Sequence, residues 1–194
     1  MRNVLRRYAE LFRSSKVYFS VFVSAFALGA IAGLFFTTAL ARAALADNVI
    51  EFYMLIFSGK YNLYAFAFTV ILSDAVFILI FYGCSFNFYL GIVDILLLFY
   101  RGYVLFSVTL LFFKLFGVGG AYAFVFCVFL HNAITSVALA AFASILSYAQ
   151  KKNKKTVKCL RKELLVALAA TVFAAVIIEL TIILLLFRPL NAIF

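Results

Sequence analysis

Five long and nearly uninterrupted apolar runs constrain the fold of this chain more than any other feature. They lie at about 17–38, 64–84, 89–113, 121–148 and 164–187. The first holds 22 residues, which as an α-helix extends roughly 33 Å and matches the hydrocarbon core of a bilayer. In lipid, the backbone polar groups of such runs can be satisfied only within helices, because a barrel would need short alternating segments. The sequence therefore predicts an all-α bundle of about five transmembrane helices, forming a single domain over 1–194.

The composition excludes an ordinary water-soluble domain. Hydrophobic residues make up 68% of the 194 positions and charged residues 12%, against about 45–50% and 25% in soluble domains. The formal net charge of +10 would indicate nucleic-acid binding in a soluble protein. Here Lys and Arg flank the apolar runs, which is typical of topology signals and of contacts with lipid headgroups.

The basic residues also predict an orientation. Twelve of the 17 Lys and Arg residues lie in two segments, 2–16 and 151–162, which fall on the same side of a five-span bundle. The positive-inside rule places both segments in the cytoplasm and the C-terminus outside the cell membrane. We expect four lysines to contact anionic headgroups: Lys151, Lys152, Lys154 and Lys155. No aromatic residues interleave with them to stack bases, so no nucleic-acid partner is expected.

Between the first two spans, charged residues are interspersed among apolar ones instead of flanking an apolar run. Asp47 and Glu51 punctuate a pattern that includes Ile50, Tyr53 and Ile56. This arrangement is typical of an amphipathic helix that lies in the membrane interface, and we predict one at about 43–58.

Ionisable side chains inside the predicted spans require a physical explanation. Each costs roughly 2.5–3.5 kcal/mol to place at the centre of a membrane helix. Asp94 and Arg101 are seven residues apart on one helix face and could face a shared polar interior. We predict an intramembrane polar cluster formed by Asp74, Asp94, Arg101, His131, Asn132 and Glu179. It could fix the packing of the bundle, form a path for a solute or protons, or face a partner protein.

Motifs of catalysis and metal binding are missing from the sequence. His131 is the single histidine, which excludes motifs of the HExxH type. An interhelical hydrogen bond is the simpler explanation of this histidine, beside a proton-relay or ligand role. No GxSxG elbow, Walker loop or Rossmann fingerprint occurs. We therefore expect no enzyme, no bound metal and no cofactor.

Small residues recur in the first span at a spacing that favours close helix packing. Ala25, Gly29 and Gly33 form a small-xxx-small stripe, which allows another helix to approach closely. The partner helix could belong to the same chain or to a second copy, so a homo-oligomer stays open. Further along the chain, Gly117, Gly119 and Gly120 indicate the turn between the third and fourth spans.

The order of these parts resembles the stage II sporulation protein M family. The resemblance is best from about Tyr89 to Tyr148, a range that includes YRGYVLFSVTLLFFKLFGVGGAYAFVFCVFLHN at residues 100–132. It also covers the preceding order of basic N-terminus, glycine-bearing span, external stretch and helical hairpin. It implies that Gly102, Gly117 and Gly120 serve helix packing and that His131 and Asn132 form a polar motif. The chain departs from the family pattern at Leu130, where members usually have proline.

This resemblance implies a non-enzymatic membrane scaffold. Such a protein would help to localise peptidoglycan-degrading partners at the septum during engulfment in sporulation. The alternative is a membrane subunit of a small-solute transporter, either substrate-capturing or a permease, with Asp74, Asp94, Arg101 and His131 lining a pocket. The sequence leaves open whether the third span is broken near Arg101 and Gly102.

Overall fold

The computed structural model describes residues 10–40, 63–124, 128–152 and 154–187, and these ranges are almost entirely helical. The helices are α1 (Lys16–Leu40), α2 (Leu63–Cys84), α3 (Gly91–Phe124), α4 (Leu130–Lys152) and α5 (Lys154–Phe187), with a 3-10 turn at Phe88–Leu90. No strand occurs in the described ranges. The predicted all-α fold is confirmed, and the predicted interfacial helix at 43–58 lies outside the described residues.

Five helical stretches are long and apolar enough to cross a membrane. They are Lys16–Phe35, Phe66–Cys84, Phe88–Lys114, Leu130–Lys152 and Leu160–Leu185. Many large apolar side chains on these stretches point outward; Leu79 is 67% and Leu185 68% exposed. Such a surface suits lipid rather than water. The chain is a multi-pass membrane protein, as the sequence predicts.

Helices α1 and α3 form the closest helix pair of the bundle. A Cβ atom built on Gly29 would overlap the carbonyl oxygen of Phe99, and one built on Gly102 would overlap that of Phe26. A Cβ on Gly33 would likewise overlap the carbonyl oxygen of Tyr103. Gly29 faces Phe99, and Gly33, four residues later in α1, faces Tyr103, four residues later in α3. The two helices therefore run parallel. Glycine is therefore required at these positions by the approach of two backbones.

Of the other predicted packing glycines, Gly120 has surroundings outside the described set, whereas Gly117 is described and behaves differently. Gly117 has a φ of 64°, inside the left-handed region, and breaks α3 into two helical parts. Apart from its own helix, no atom of the described residues lies within 4 Å of a Cβ built on it. The prediction that Gly117 packs against another helix is wrong: its role is the backbone conformation, which glycine adopts without steric cost. The break is also not at Arg101 and Gly102, which both have helical backbones.

Helix α4 lies at the centre of the bundle. It packs most against α5 and α1, and its buried face includes Leu139 and Leu146, each 1% exposed. Ala140 and Ala143 are also buried, at 2% and 3% exposed. These small side chains let neighbouring helices approach α4, while Ala25 of α1 is buried at 7% exposed.

The α2–α3 hairpin is closed by a polar contact at its tip. The Ser85 carbonyl, directly after α2, accepts a 2.8 Å hydrogen bond from Nη2 of Arg161 and a further bond from Nε2 of Gln150. The Arg161 guanidinium also lies 3.9 Å from the centre of the Phe86 ring. A cation at the C-terminal end of a helix is favourable, because unpaired carbonyls give that end a partial negative charge. This contact joins α5 to the hairpin.

Candidate functional site

Polar side chains from four helices meet inside the bundle. Asp74 of α2, Arg101 of α3, His131 of α4 and Glu179 of α5 are each at most 7% exposed. Together with Asn132 and Thr135 of α4 they form what we call the polar cluster. Each of its ionisable groups comes from a different helix, so the cluster exists only in the assembled bundle.

Arg101 is the hub of the polar cluster. Its Nη2 lies 2.8 Å from Oδ1 of Asp74, 3.0 Å from Oδ1 of Asn132 and 2.5 Å from Oγ1 of Thr135. Its guanidinium carbon also lies 4.8 Å from the centre of the Phe77 ring, a cation–π distance. The carboxylate of Asp74 compensates the charge of Arg101, which would otherwise be costly to place in a membrane.

His131 lies between two carboxyl groups. Its Nε2 is 2.7 Å from Oδ2 of Asp74, a short hydrogen bond between α4 and α2. Its Nδ1 is 3.5 Å from Oε2 of Glu179, which is an ion-pair distance but too long for a direct hydrogen bond. Because an ionised carboxylate can only accept, Nε2 carries the hydrogen in its contact with Asp74. The result is a continuous series from Arg101 through Asp74 and His131 to Glu179.

Asp94 does not take part in the polar cluster, in contrast to the prediction. Its side chain is 4% exposed, its Oδ1 has no hydrogen-bond partner among the described residues, and its carboxyl group interacts with the thiol of Cys84 at the end of α2. The reason is the antiparallel course of the hairpin: Asp74 stands opposite Arg101, whereas Cys84 stands opposite Asp94. Seven residues place Asp94 and Arg101 on one face but roughly 10 Å apart along the helix. They therefore meet different residues of α2.

A cavity of about 420 Å³ adjoins the polar cluster. Its polar lining includes Asp74, Arg101, His131, Asn132 and Glu179, and its apolar lining includes Phe66, Val70, Phe77, Val104, Leu105, Val108 and Val128. Two lining residues on either side of the gap between α2 and α3, Ser73 and Tyr100, are exposed. The cavity thus reaches the surface of the bundle through this gap, where α2 and α3 contact each other far less than α1 and α3 do.

Some donors and acceptors beside this cavity are unpaired. Among the described residues, Nε and Nη1 of Arg101 have no hydrogen-bond partner, although the side chain is buried. Oε2 of Glu179 likewise has no hydrogen-bond partner among the described residues and lies 3.5 Å from Nδ1 of His131. Buried polar atoms are normally satisfied, so this concentration at one cavity points to a site that a further molecule can complete.

Sequence reasoning missed Thr135, Ser73 and Tyr100. Thr135 follows His131 by four residues and Asn132 by three, so helical spacing was a signal that it shares their face. Ser73 and Tyr100 each precede a cluster residue, but no pattern indicates that a gap separates their helices. Their place at the opening depends on helix packing.

The predicted headgroup lysines are only partly described. Lys151 and Lys152 are exposed at the end of α4. Lys154 and Lys155 lie in α5, but their side chains are outside the described set. Within the ranges that the structure describes, no group of three or more His, Cys, Asp or Glu side chains could hold a metal ion.

Comparisons with protein-family models, with curated proteins and with solved structures found no match to this chain.

Proposed function

We propose that this protein is a non-enzymatic membrane scaffold that resembles stage II sporulation protein M. It helps to localise septal peptidoglycan-degrading partners during engulfment, with its N-terminus in the cytoplasm and its C-terminus outside. The observation that carries this proposal is that the ionisable groups of the polar cluster, from four different helices, bind one another. The order of the spans and residues 100–132 supply the class of partner.

A cross-linked polar cluster suits a scaffold for a physical reason. Buried ion pairs add little net stability compared with apolar packing, but misplaced ones are costly. The pairing of Arg101 with Asp74, and of Asp74 with His131, therefore penalises other arrangements of α2, α3 and α4. A bundle with one defined arrangement can present a constant surface to partner proteins.

The test is deletion of the gene in a spore-forming bacterium that carries it. We expect the septal peptidoglycan to stay thick in electron cryotomograms and engulfment to stop, and wild-type protein to restore both. Cross-linking to tagged wild-type protein should recover a cell-wall hydrolase. Normal septal thinning in the deletion strain, with no hydrolase recovered, would reject the scaffold role.

A transporter subunit is the second candidate, and the cavity beside Arg101 is the observation that favours it. In this case, the polar cluster would bind a small solute during its passage. The Arg101→Ala variant should then lose uptake of that solute in cells, with the exposed-site variant Val166→Ala as its control. Purified protein that retains no small molecule, together with an unchanged uptake profile for Arg101→Ala, would exclude this candidate.

A further inference from the structure

We infer that the cavity beside Arg101 is a binding site for an uncharged, bilayer-soluble molecule whose head group presents carbonyl oxygens. An isoprenoid quinone and a diacylglycerol share this chemistry. The proposal goes beyond the scaffold role and does not require transport, because a scaffold can bind such a molecule without moving it.

The unpaired donors of Arg101 specify a hydrogen-bond acceptor. Nη2 is occupied by Asp74, Asn132 and Thr135, whereas Nε and Nη1 have no partner among the described residues. The side chain is 93% buried, since its exposed fraction is 7%. Arg101 lines the cavity, and a carbonyl oxygen bound there would satisfy these donors once the guanidinium turns toward it, in a low-dielectric environment where unpaired donors are costly.

The charges around the cavity favour an uncharged ligand over an anion. Asp74 already compensates Arg101 at 2.8 Å. His131 lies between the carboxyl groups of Asp74 and Glu179. No cationic group of the described lining is therefore left without a carboxyl partner, and an anionic head group would have to displace one of them. A carbonyl oxygen accepts a hydrogen bond without this competition.

The shape of the cavity indicates where the rest of the ligand lies. Its volume of about 420 Å³ is within the range of about 300–1,000 Å³ typical of small-molecule sites. It opens between α2 and α3, where Ser73 and Tyr100 are exposed on helices that span the membrane. The outer surface of these helices faces lipid, so a ligand can enter from the bilayer and leave its apolar tail between α2 and α3.

Native mass spectrometry of the full-length protein in detergent micelles tests the proposal. The probes are decylubiquinone, dioctanoylglycerol and decanoate, each at equal concentration. The cavity-filling variant is Val70→Phe, with Val108→Phe as a second variant at the same cavity. The matched control is Val166→Phe, which adds the same volume at a position that is 70% exposed. Gel filtration and circular dichroism verify folding.

We expect a single adduct of at least one carbonyl probe on the wild type and on Val166→Phe. Val70→Phe should bind that probe at least tenfold more weakly, and the identity of the bound probe distinguishes a quinone from a glyceride. If Val70→Phe and Val108→Phe both bound the probe as tightly as the wild type, the location would be overturned. Binding of decanoate alone, or of none of the probes, would overturn the ligand class. Neither result bears on septal thinning, so the scaffold role is tested independently.

Discussion

Helix α3 meets its neighbours α1 and α2 in opposite ways, although the residues responsible are adjacent in sequence. Gly102 lies against the backbone of α1, where a Cβ would overlap the Phe26 carbonyl. Arg101, one residue earlier, donates a hydrogen bond to Asp74 of α2 beside the cavity. Consecutive helical residues differ by about 100° in direction, so one helix presents glycine to one partner and a long cation to the other.

The two interfaces therefore depend on different forces. At the α1–α3 interface, missing side chains allow backbone contact, and stability comes from dense van der Waals packing. At the α2–α3 interface, the helices stay apart and long polar side chains connect them. Both arrangements stabilise a protein in a membrane. Closely packed helices make better contacts with each other than with lipid, and lipid cannot satisfy an isolated charge or polar group.

The largest effect should follow from removing one partner of the ion pair that connects α2 and α3. Asp74→Ala leaves Arg101 buried and uncompensated, and we expect a loss of about 3–5 kcal/mol in the free energy of unfolding. Titration of the solubilised protein with sodium dodecyl sulfate measures it. Ser73→Ala, at the exposed neighbour, is the control, and the double variant Asp74→Ala with Arg101→Met should recover part of the loss. A loss below 1 kcal/mol for Asp74→Ala would mean that the ion pair does not stabilise the packing of α2 against α3.

A smaller effect is expected from one added methyl group at the α1–α3 interface. Gly29→Ala places a Cβ on the Phe99 carbonyl and should cost about 1–3 kcal/mol, because the helices must move apart. The same unfolding titration gives the value. Gly83→Ala is the matched control, since no atom of a neighbouring described helix lies within 4 Å of its added Cβ. Equal effects of the two substitutions would contradict the close backbone contact.

The hydrogen bond between α3 and α1 should contribute less again. Ser107 donates from Oγ to the Gly33 carbonyl at 3.2 Å, and Ser107→Ala should cost about 0.6 kcal/mol, the average for interhelical bonds in membranes. The reference substitution is Thr109→Ser, because the Thr109 hydroxyl bonds to the Leu105 carbonyl of its own helix. If Ser107→Ala lowered the free energy of unfolding by more than about 2 kcal/mol, hydrogen bonds rather than packing would be the main stabilising force at this interface.

The smallest effect should come from trimming a side chain at the opening between α2 and α3. Val104 lines the cavity and is 36% exposed, so Val104→Ala should change the free energy of unfolding by no more than about 0.5 kcal/mol. Its neighbour Leu105 is 5% exposed, and Leu105→Ala should cost about 2–5 kcal/mol. Similar costs at both positions would show that the gap is packed in solution.

Sequence reasoning anticipated the members of the polar cluster better than their connections. Asp74, Arg101, His131, Asn132 and Glu179 stand out because ionisable or amide groups are expensive inside apolar runs. Asp94 carries the same signal but lies next to Cys84 rather than in the cluster, since helix register decides which residue of α2 it meets. Thr135 carries no such signal, because a threonine can be accommodated in a membrane helix without a partner on another helix.

The sequence by itself determined that this chain is a helical, multi-pass membrane protein and that a few polar residues must be sheltered inside it. The physical reason is local: the length and apolarity of each run decide whether it can cross a bilayer. Tertiary structure decided which helices touch and which stand apart, and so placed a cavity beside Arg101 rather than beside Asp94. That outcome depends on the register and direction of neighbouring helices, which involve residues far apart in the chain.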